Sequence, residues 1–143
     1  MSILEQVQED VKTAMKAGEK DRVGQLRMVV AALQAEQKEG RGDEIAALQR
    51  ERKRRVDAAE ALREGGRDDA ASAEEAEAKL IEGYLPAQLS DEELDELVAA
   101  TIDESGASEQ KEMGNVMNAL MPKLGGRADG KRVSQAVREK LGS

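Results

Sequence analysis

The chain contains no cysteine and no histidine among its 143 residues. The lack of cysteine excludes disulfides, thiol nucleophiles and thiolate metal sites, and the lack of histidine removes the commonest metal ligand and near-neutral acid–base group. The carboxylates Glu74, Glu75 and Glu77 lie close together in the sequence, but they alternate around a predicted helix and so do not form a catalytic pair. There is no Walker A loop and no dinucleotide-binding glycine fingerprint. We therefore expect no catalytic residue, no metal site and no cofactor.

Long apolar segments are also missing. No stretch approaches the ~18 apolar residues that a membrane span requires. The N-terminal residues 1–5 show no basic region followed by an apolar run, so they do not match a secretory signal. We expect a cytoplasmic protein that makes no contact with a membrane.

Aromatic residues are almost absent, because phenylalanine and tryptophan are missing and Tyr84 is the single tyrosine. The core must therefore be built from aliphatic residues and methionine, as in helix bundles. Helix-forming residues dominate, and Val, Ile and Thr never form alternating runs, which favours helices over strands. The sequence predicts an all-α fold, with an N-terminal domain of about four helices at 1–86 and a C-terminal three-helix bundle at 87–143. Pro86 marks the boundary, because it has no backbone N–H and disfavours helical angles at Leu85.

Each predicted helix begins at a polar or acidic residue, and most of these residues can cap the helix N-terminus with their side chains. In the N-terminal domain these residues are Ser2 with Glu5 as a capping box, Asp21, Asp43 or Glu44, and about Asp69. In the C-terminal domain they are Ser90 with Glu93 as a second capping box, Ser108, and Asp129. Met15 is predicted on the apolar stripe of the first helix, and Pro122 is predicted to end the sixth.

The net charge of −8 argues against indiscriminate nucleic-acid binding, but the charges are unevenly distributed along the chain. Residues 91–112 carry nine acidic side chains and one basic one, whereas residues 120–143 carry six basic and two acidic ones. The loop and helix around Gly130 offer free backbone N–H groups beside Lys131 and Arg132, an arrangement that suits phosphate. The alternative is that these bases only balance the acidic helix, and Asp129 already occupies the helix terminus.

Four short motifs occur in a fixed order: Tyr84-Leu85-Pro86, Lys111-Glu112-Met113-Gly114, Leu120-Met121-Pro122 and Ala128-Asp129-Gly130-Lys131. This order resembles the YqeY-like proteins, a family that shares its C-terminal helical domain with the tail of GatB. GatB is a subunit of the glutamine-dependent amidotransferase that corrects misacylated tRNA. The N-terminal half also resembles the family, at residues 15–17, 26–28 and 63–68.

The resemblance implies an RNA partner, because the GatB tail is thought to contact tRNA. The RNA-facing residues that it implies are Lys111, Asn115, Lys123, Lys131 and Arg132. The chain lacks the catalytic domain that activates the tRNA-linked carboxylate and the subunit that supplies ammonia. We therefore expect a stand-alone module that binds tRNA, an amidotransferase or another tRNA-handling protein without catalysing a reaction alone. Carbon–nitrogen ligase activity, with glutamine as amide donor, is the weaker alternative and would require a complex.

A different class of function is a protein-interaction adaptor. The acidic helix at 91–104 and the methionines Met113, Met117 and Met121 would then meet a partner protein, although such methionine stripes usually belong to a core. Gly114 is unusual inside a helix, which calls for close helix packing or for close approach by a partner.

A second basic run lies in the third helix and comprises Arg50, Arg52, Lys53, Arg54 and Arg55. Successive residues advance by about 100° around a helix, so the run wraps the axis and forms no single stripe. It predicts a surface network of ion pairs with Asp57, Glu60 and Glu64. The alternative is a secondary contact with RNA or another partner.

Overall fold

A computed structural model describes residues 1–142 of the chain, and these residues form seven α-helices and no strand. The helices are α1 (Ile3–Lys16), α2 (Lys20–Glu39), α3 (Glu44–Glu64), α4 (Asp68–Glu82), α5 (Asp91–Ser105), α6 (Met113–Leu124) and α7 (Gly130–Lys140), with a short 3₁₀ helix (Gln110–Glu112) before α6. The all-α prediction is therefore confirmed. The chain divides into two compact units, Met1–Leu85 and the part that begins at Pro86. None of the helices described is long and apolar enough to cross a membrane.

The N-terminal unit consists of two helical hairpins, α1 with α2 and α3 with α4, and α2 also packs against α3. Its core is aliphatic, with Leu26, Leu33 and Leu48 almost completely buried. The predicted position of Met15 on this core is wrong, since its side chain is 54% exposed. It contacts the Arg27 guanidinium at the surface instead.

Side-chain capping in this unit differs in part from the prediction. The predicted capping box of Ser2 and Glu5 forms only in part: the Ser2 hydroxyl accepts from the Glu5 N–H at 3.1 Å, but the Glu5 carboxylate accepts from the Ser2 hydroxyl at 3.3 Å and not from the Ser2 N–H. Asp21 is not a cap, because α2 begins one residue before it without any side-chain cap. Asp43 caps α3 through the Ala46 N–H at 3.0 Å. Glu44 serves a different helix: its carboxylate accepts from the first two backbone N–H groups of α1, at 3.1 and 2.8 Å.

The C-terminal unit is a bundle in which α5, α6 and α7 pack against one another. This unit contains no aromatic residue, and the fully buried members of its core include Val98, Val116, Leu120, Val133 and Val137. The three-helix prediction for this part of the chain is confirmed.

Two of the predicted caps of this unit are correct. Ser90 and Glu93 form a reciprocal capping box at the start of α5, with hydrogen bonds of 3.1 and 3.0 Å. This hydrogen bond from the Ser90 N–H lowers the pKa of the Glu93 carboxyl. The Asp129 carboxylate caps α7 by accepting from the Arg132 N–H at 2.9 Å.

Two predictions about α6 are wrong. Ser108 does not cap it, because the 3₁₀ helix intervenes and the Ser108 N–H donates to the Glu112 carboxylate at 2.6 Å. Pro122 does not end it, because α6 continues to Leu124 and stops at Gly125, whose φ is 56°. A proline in the last turn removes only the hydrogen bond to the Asn118 carbonyl, and both residues are exposed to solvent. The left-handed glycine is the actual stop signal.

Candidate nucleic-acid interface

The cations of the C-terminal unit fall into two groups, those tied to the fold and those left exposed. Lys123 belongs to the first group. Its Nζ lies 2.5 Å from the Glu104 carboxylate and 3.3 Å from the hydroxyl of Thr101, which is buried. Lys123 therefore fastens the last turn of α6 to the last turn of α5.

Arg132 and Arg127 are also engaged within the fold. The Arg132 guanidinium donates to the Leu89 carbonyl and to the Asp91 carboxylate, both at 2.9 Å, and so joins the start of α7 to the start of α5. The Arg127 guanidinium donates to the Leu124 and Lys123 carbonyls, both at 2.9 Å. These are two of the carbonyls that the end of α6 leaves without a helical partner, so Arg127 acts as a C-terminal cap.

Lys131, Arg138 and Lys140 form the second group. Their side chains are exposed and form no ion pair with any other residue in 1–142. Lys131 and Arg138 are seven residues apart on α7, so they lie on the same face of the helix about 10 Å apart along its axis. Gln135 lies between them and is also exposed. Arg138 was missing from the residues inferred from sequence, although its spacing from Lys131 would have identified it.

Lys111 lies in the 3₁₀ helix, and Asn115 lies in α6. Lys111 is 79% exposed, and its only ion pair within the described residues is with the exposed Glu109 at 3.1 Å. The neighbouring Gln110 side chain donates to the Arg138 carbonyl at 2.8 Å, so the 3₁₀ helix is held against the last turns of α7. Asn115 follows on the first turn of α6 and is exposed.

The N-terminus of α7 is not an open anion site. The Asp129 carboxylate already accepts the Arg132 N–H and places a negative charge where a phosphate would otherwise bind. The five residues inferred from sequence therefore have different surroundings. Lys111, Asn115 and Lys131 are exposed, whereas Lys123 and Arg132 hold the bundle together.

The methionines of α6 contribute mainly to packing. Met113 and Met117 are partly buried and pack against the core of the unit, and Met121 is 45% exposed. A continuous methionine surface is therefore not present on α6.

The basic run of α3 is neutralised by ion pairs. All five of its bases have a carboxylate partner: Arg50 with Glu36, Arg52 with Glu82 at 2.7 Å, Lys53 with Asp57 at 3.1 Å, Arg54 with Glu51 at 2.9 Å, and Arg55 with Glu77 at 3.2 Å and Glu74 at 3.3 Å. Most of these partners lie on other helices, and only Asp57 was among those predicted. Glu36 is buried, and its hydrogen bond with Arg50 lowers its pKa. The run therefore stabilises the packing of α3 against its neighbours.

No group of acidic side chains within residues 1–142 converges closely enough to hold a metal ion. The family model of Yqey-like proteins matches residues 4–141, which is nearly the whole chain. No curated protein matches the sequence. The resemblance inferred from the four short motifs is therefore confirmed.

Proposed function

We propose, from the premise that the chain belongs to the family of Yqey-like proteins, that its C-terminal unit binds tRNA and catalyses no reaction by itself. The observation that carries this proposal is that Lys131 and Arg138, on one exposed face of α7, form no ion pair with any residue in 1–142. Phosphate contacts supply most of the affinity of proteins for nucleic acids, and they require cations that no carboxylate already holds.

The proposal assigns different roles to the basic residues. Lys131, Arg138 and Lys111 contact phosphates, because their side chains reach solvent and two of them have no ion-pair partner within 1–142. Lys123 and Arg132 add positive potential, but their side chains hold the bundle in shape. An RNA contact by either would have to compete with its present hydrogen bonds.

The acidic remainder of the chain supports a localised contact. The net charge of −8 disfavours indiscriminate binding of RNA to the surface. We therefore place the contact at the exposed cations of α7. By the family's similarity to the tail of GatB, the protein partner would be a tRNA-handling enzyme such as an amidotransferase, and carbon–nitrogen ligase activity would occur only in such a complex. This function also implies a cytoplasmic location.

The experiment is a titration of labelled total tRNA with the full chain at several salt concentrations. We compare the wild type with a Lys131→Ala, Arg138→Ala variant. The matched control is Lys53→Ala, Arg54→Ala, which removes the same charge from bases that are already paired. We expect saturable binding by the wild type. The slope of the logarithm of the binding constant against the logarithm of the salt concentration should fall in magnitude by about 1 for each phosphate contact removed. Equal affinity of the two variants, or no saturable binding by the wild type, would contradict the proposal.

A further inference from the structure

The outward face of α6 differs from every other helical face of the molecule. Among the seven helices described, α6 is the only one without an aspartate or glutamate, in a chain that contains 30 of them. Its exposed residues are Gly114, Asn115, Asn118, Ala119, Met121, Pro122 and Lys123. The residues of α6 therefore present no negative charge to an approaching phosphate backbone.

Gly114 has no structural explanation within the chain. It lies in the first turn of α6 with ordinary helical geometry, and a Cβ placed on it would meet no atom within 4 Å. The close packing considered from sequence is thus not what requires glycine at this position. Glycine destabilises a helix relative to alanine, and with no side chain at this position the backbone of α6 is accessible to another molecule.

Asn115 and Asn118 lie beside Gly114 on the same face. Both are exposed, and neither side chain forms a hydrogen bond with another residue in 1–142. Lys111 lies in the 3₁₀ helix directly before α6, and its exposed ammonium forms an ion pair with the exposed Glu109 at 3.1 Å. The face combines a cation, two groups that can both donate and accept, and an accessible stretch of backbone.

We infer that this face binds the ribose edge of RNA and distinguishes RNA from DNA. The 2′-hydroxyl is both a hydrogen-bond donor and an acceptor. A carboxamide can accept from it through the oxygen or donate to it through the NH₂ group. Lys111 contacts the adjoining phosphate, while Gly114 lets the sugar approach the α6 backbone. This inference rests on the proposed function, because it specifies which chemical group of the nucleic acid is read.

The test uses the full chain with two probes, an RNA hairpin and a DNA hairpin of the same sequence with thymine for uracil. The first variant is Asn115→Ala, Asn118→Ala, which removes both carboxamides from exposed positions. We expect it to weaken RNA binding on the order of tenfold, as for the loss of two hydrogen bonds, and to leave DNA binding unchanged. The salt slope should remain that of the wild type, because no charge is removed.

The second variant is Gly114→Ala, with Gly24→Ala in α2 as its matched control. Gly24 is also a helical glycine whose Cβ would meet no atom within 4 Å. Both substitutions should raise the thermal unfolding temperature, since alanine favours the helix. Only Gly114→Ala should weaken RNA binding, so that stability and affinity change in opposite directions.

The outcomes separate this inference from the proposed function. Equal affinity of the wild type for the two hairpins, or RNA binding that survives in both α6 variants but is lost in Lys131→Ala, Arg138→Ala, would overturn the inference and leave the proposed function intact. No RNA binding by the wild type would overturn both.

Discussion

Arg132 Nη2 lies 2.9 Å from Asp91 Oδ1, and the two residues are 41 positions apart in the sequence. The same nitrogen donates to the Leu89 carbonyl at 2.9 Å. One guanidinium therefore connects the first turn of α7 to the residues that open α5. Arg132 contributes to folding through the carbonyl as well as through the carboxylate.

These two contacts of Arg132 should differ in strength. Asp91 is 94% exposed, so Asp91→Ala should cost less than about 1 kcal/mol. Arg132→Ala also leaves the half-buried Leu89 carbonyl without its donor and should cost about 1–3 kcal/mol. Urea unfolding followed by circular dichroism measures both costs. Equal costs would show that the carbonyl contact adds nothing.

Lys123 and Lys131 should respond to alanine substitution in opposite ways. Lys123→Ala removes the ion pair with Glu104 and the contact with the buried Thr101, so it should lower the free energy of unfolding by about 1 kcal/mol. Lys131→Ala should change stability by less than about 0.5 kcal/mol, because its side chain is exposed and forms no ion pair or hydrogen bond with another residue in 1–142. It should weaken tRNA binding instead. A loss of stability in Lys131→Ala with unchanged tRNA affinity would reverse our assignment of roles.

Tyr84 provides a direct test of the N-terminal unit. Its ring packs against the core, and its hydroxyl forms a hydrogen bond with Asp10. Burial and the Asp10 carboxylate together raise the pKa of the phenol well above its usual value near 10. A tyrosine whose pKa is higher in the folded than in the unfolded state stabilises the fold at any pH below the unfolded pKa. The free energy of unfolding should therefore fall as the pH rises from about 10 through the folded pKa of Tyr84.

The measurement is the ultraviolet absorbance of tyrosinate as a function of pH. The chain has one tyrosine and no tryptophan, so the signal belongs to Tyr84 alone. We expect ionisation above pH 10 in the wild type and at a lower pH in Asp10→Asn, which removes the carboxylate charge. A midpoint near 10 in the folded wild type would contradict the buried hydrogen bond.

Glu77 should destabilise the N-terminal unit at neutral pH. Its Oε2 is shielded from solvent and accepts no hydrogen bond from any residue in 1–142, although Arg55 Nη1 lies 3.2 Å away. Burial raises the pKa of the Glu77 carboxyl, Glu74 adds to this effect, and Arg55 opposes it. Glu51 and Glu74 also form ion pairs with Arg55 and compete with Glu77 for the same cation. The charged form of Glu77 is therefore disfavoured in the folded state.

The sign of the pH dependence follows from this shift. An acid with a raised pKa binds more protons in the folded state, so the free energy of unfolding should fall as the pH rises from 4.5 through the folded pKa of Glu77. Glu77→Gln should be more stable than the wild type at pH 7 and should differ less from it at pH 4. Urea unfolding at the two pH values measures this. A less stable Gln variant at pH 7 would mean that the attraction to Arg55 outweighs burial.

Local sequence patterns were sufficient to predict the helices and several of their ends. In the caps at Ser90 and Asp129 the capping side chain and the N–H that it accepts from are only three positions apart, so both can be identified from the local sequence. Pro122 misled the prediction because its effect depends on position within the helix. In the last turn, proline costs one hydrogen bond at an exposed carbonyl and does not stop the helix.

The division of cations into paired and free ones could not be predicted from sequence. Arg52 pairs with Glu82, 30 residues away, and Arg132 with Asp91, 41 residues away. Such pairs depend on which helices pack together, and a charge count along the chain does not contain that information. The same limit applies to Gly114, whose open surroundings appear only once the neighbours of α6 are placed.

The most direct test of the central claim is a map of backbone amide chemical shifts in the full chain during titration with tRNA. We predict changes concentrated in the C-terminal unit, at the amides of Lys111, Gly114, Asn115, Lys131 and Arg138. The amides of the paired run at 50–55 in α3 should remain unchanged. Changes concentrated in Met1–Leu85, or none at a tRNA concentration that saturates binding, would contradict the assignment of the RNA-binding surface.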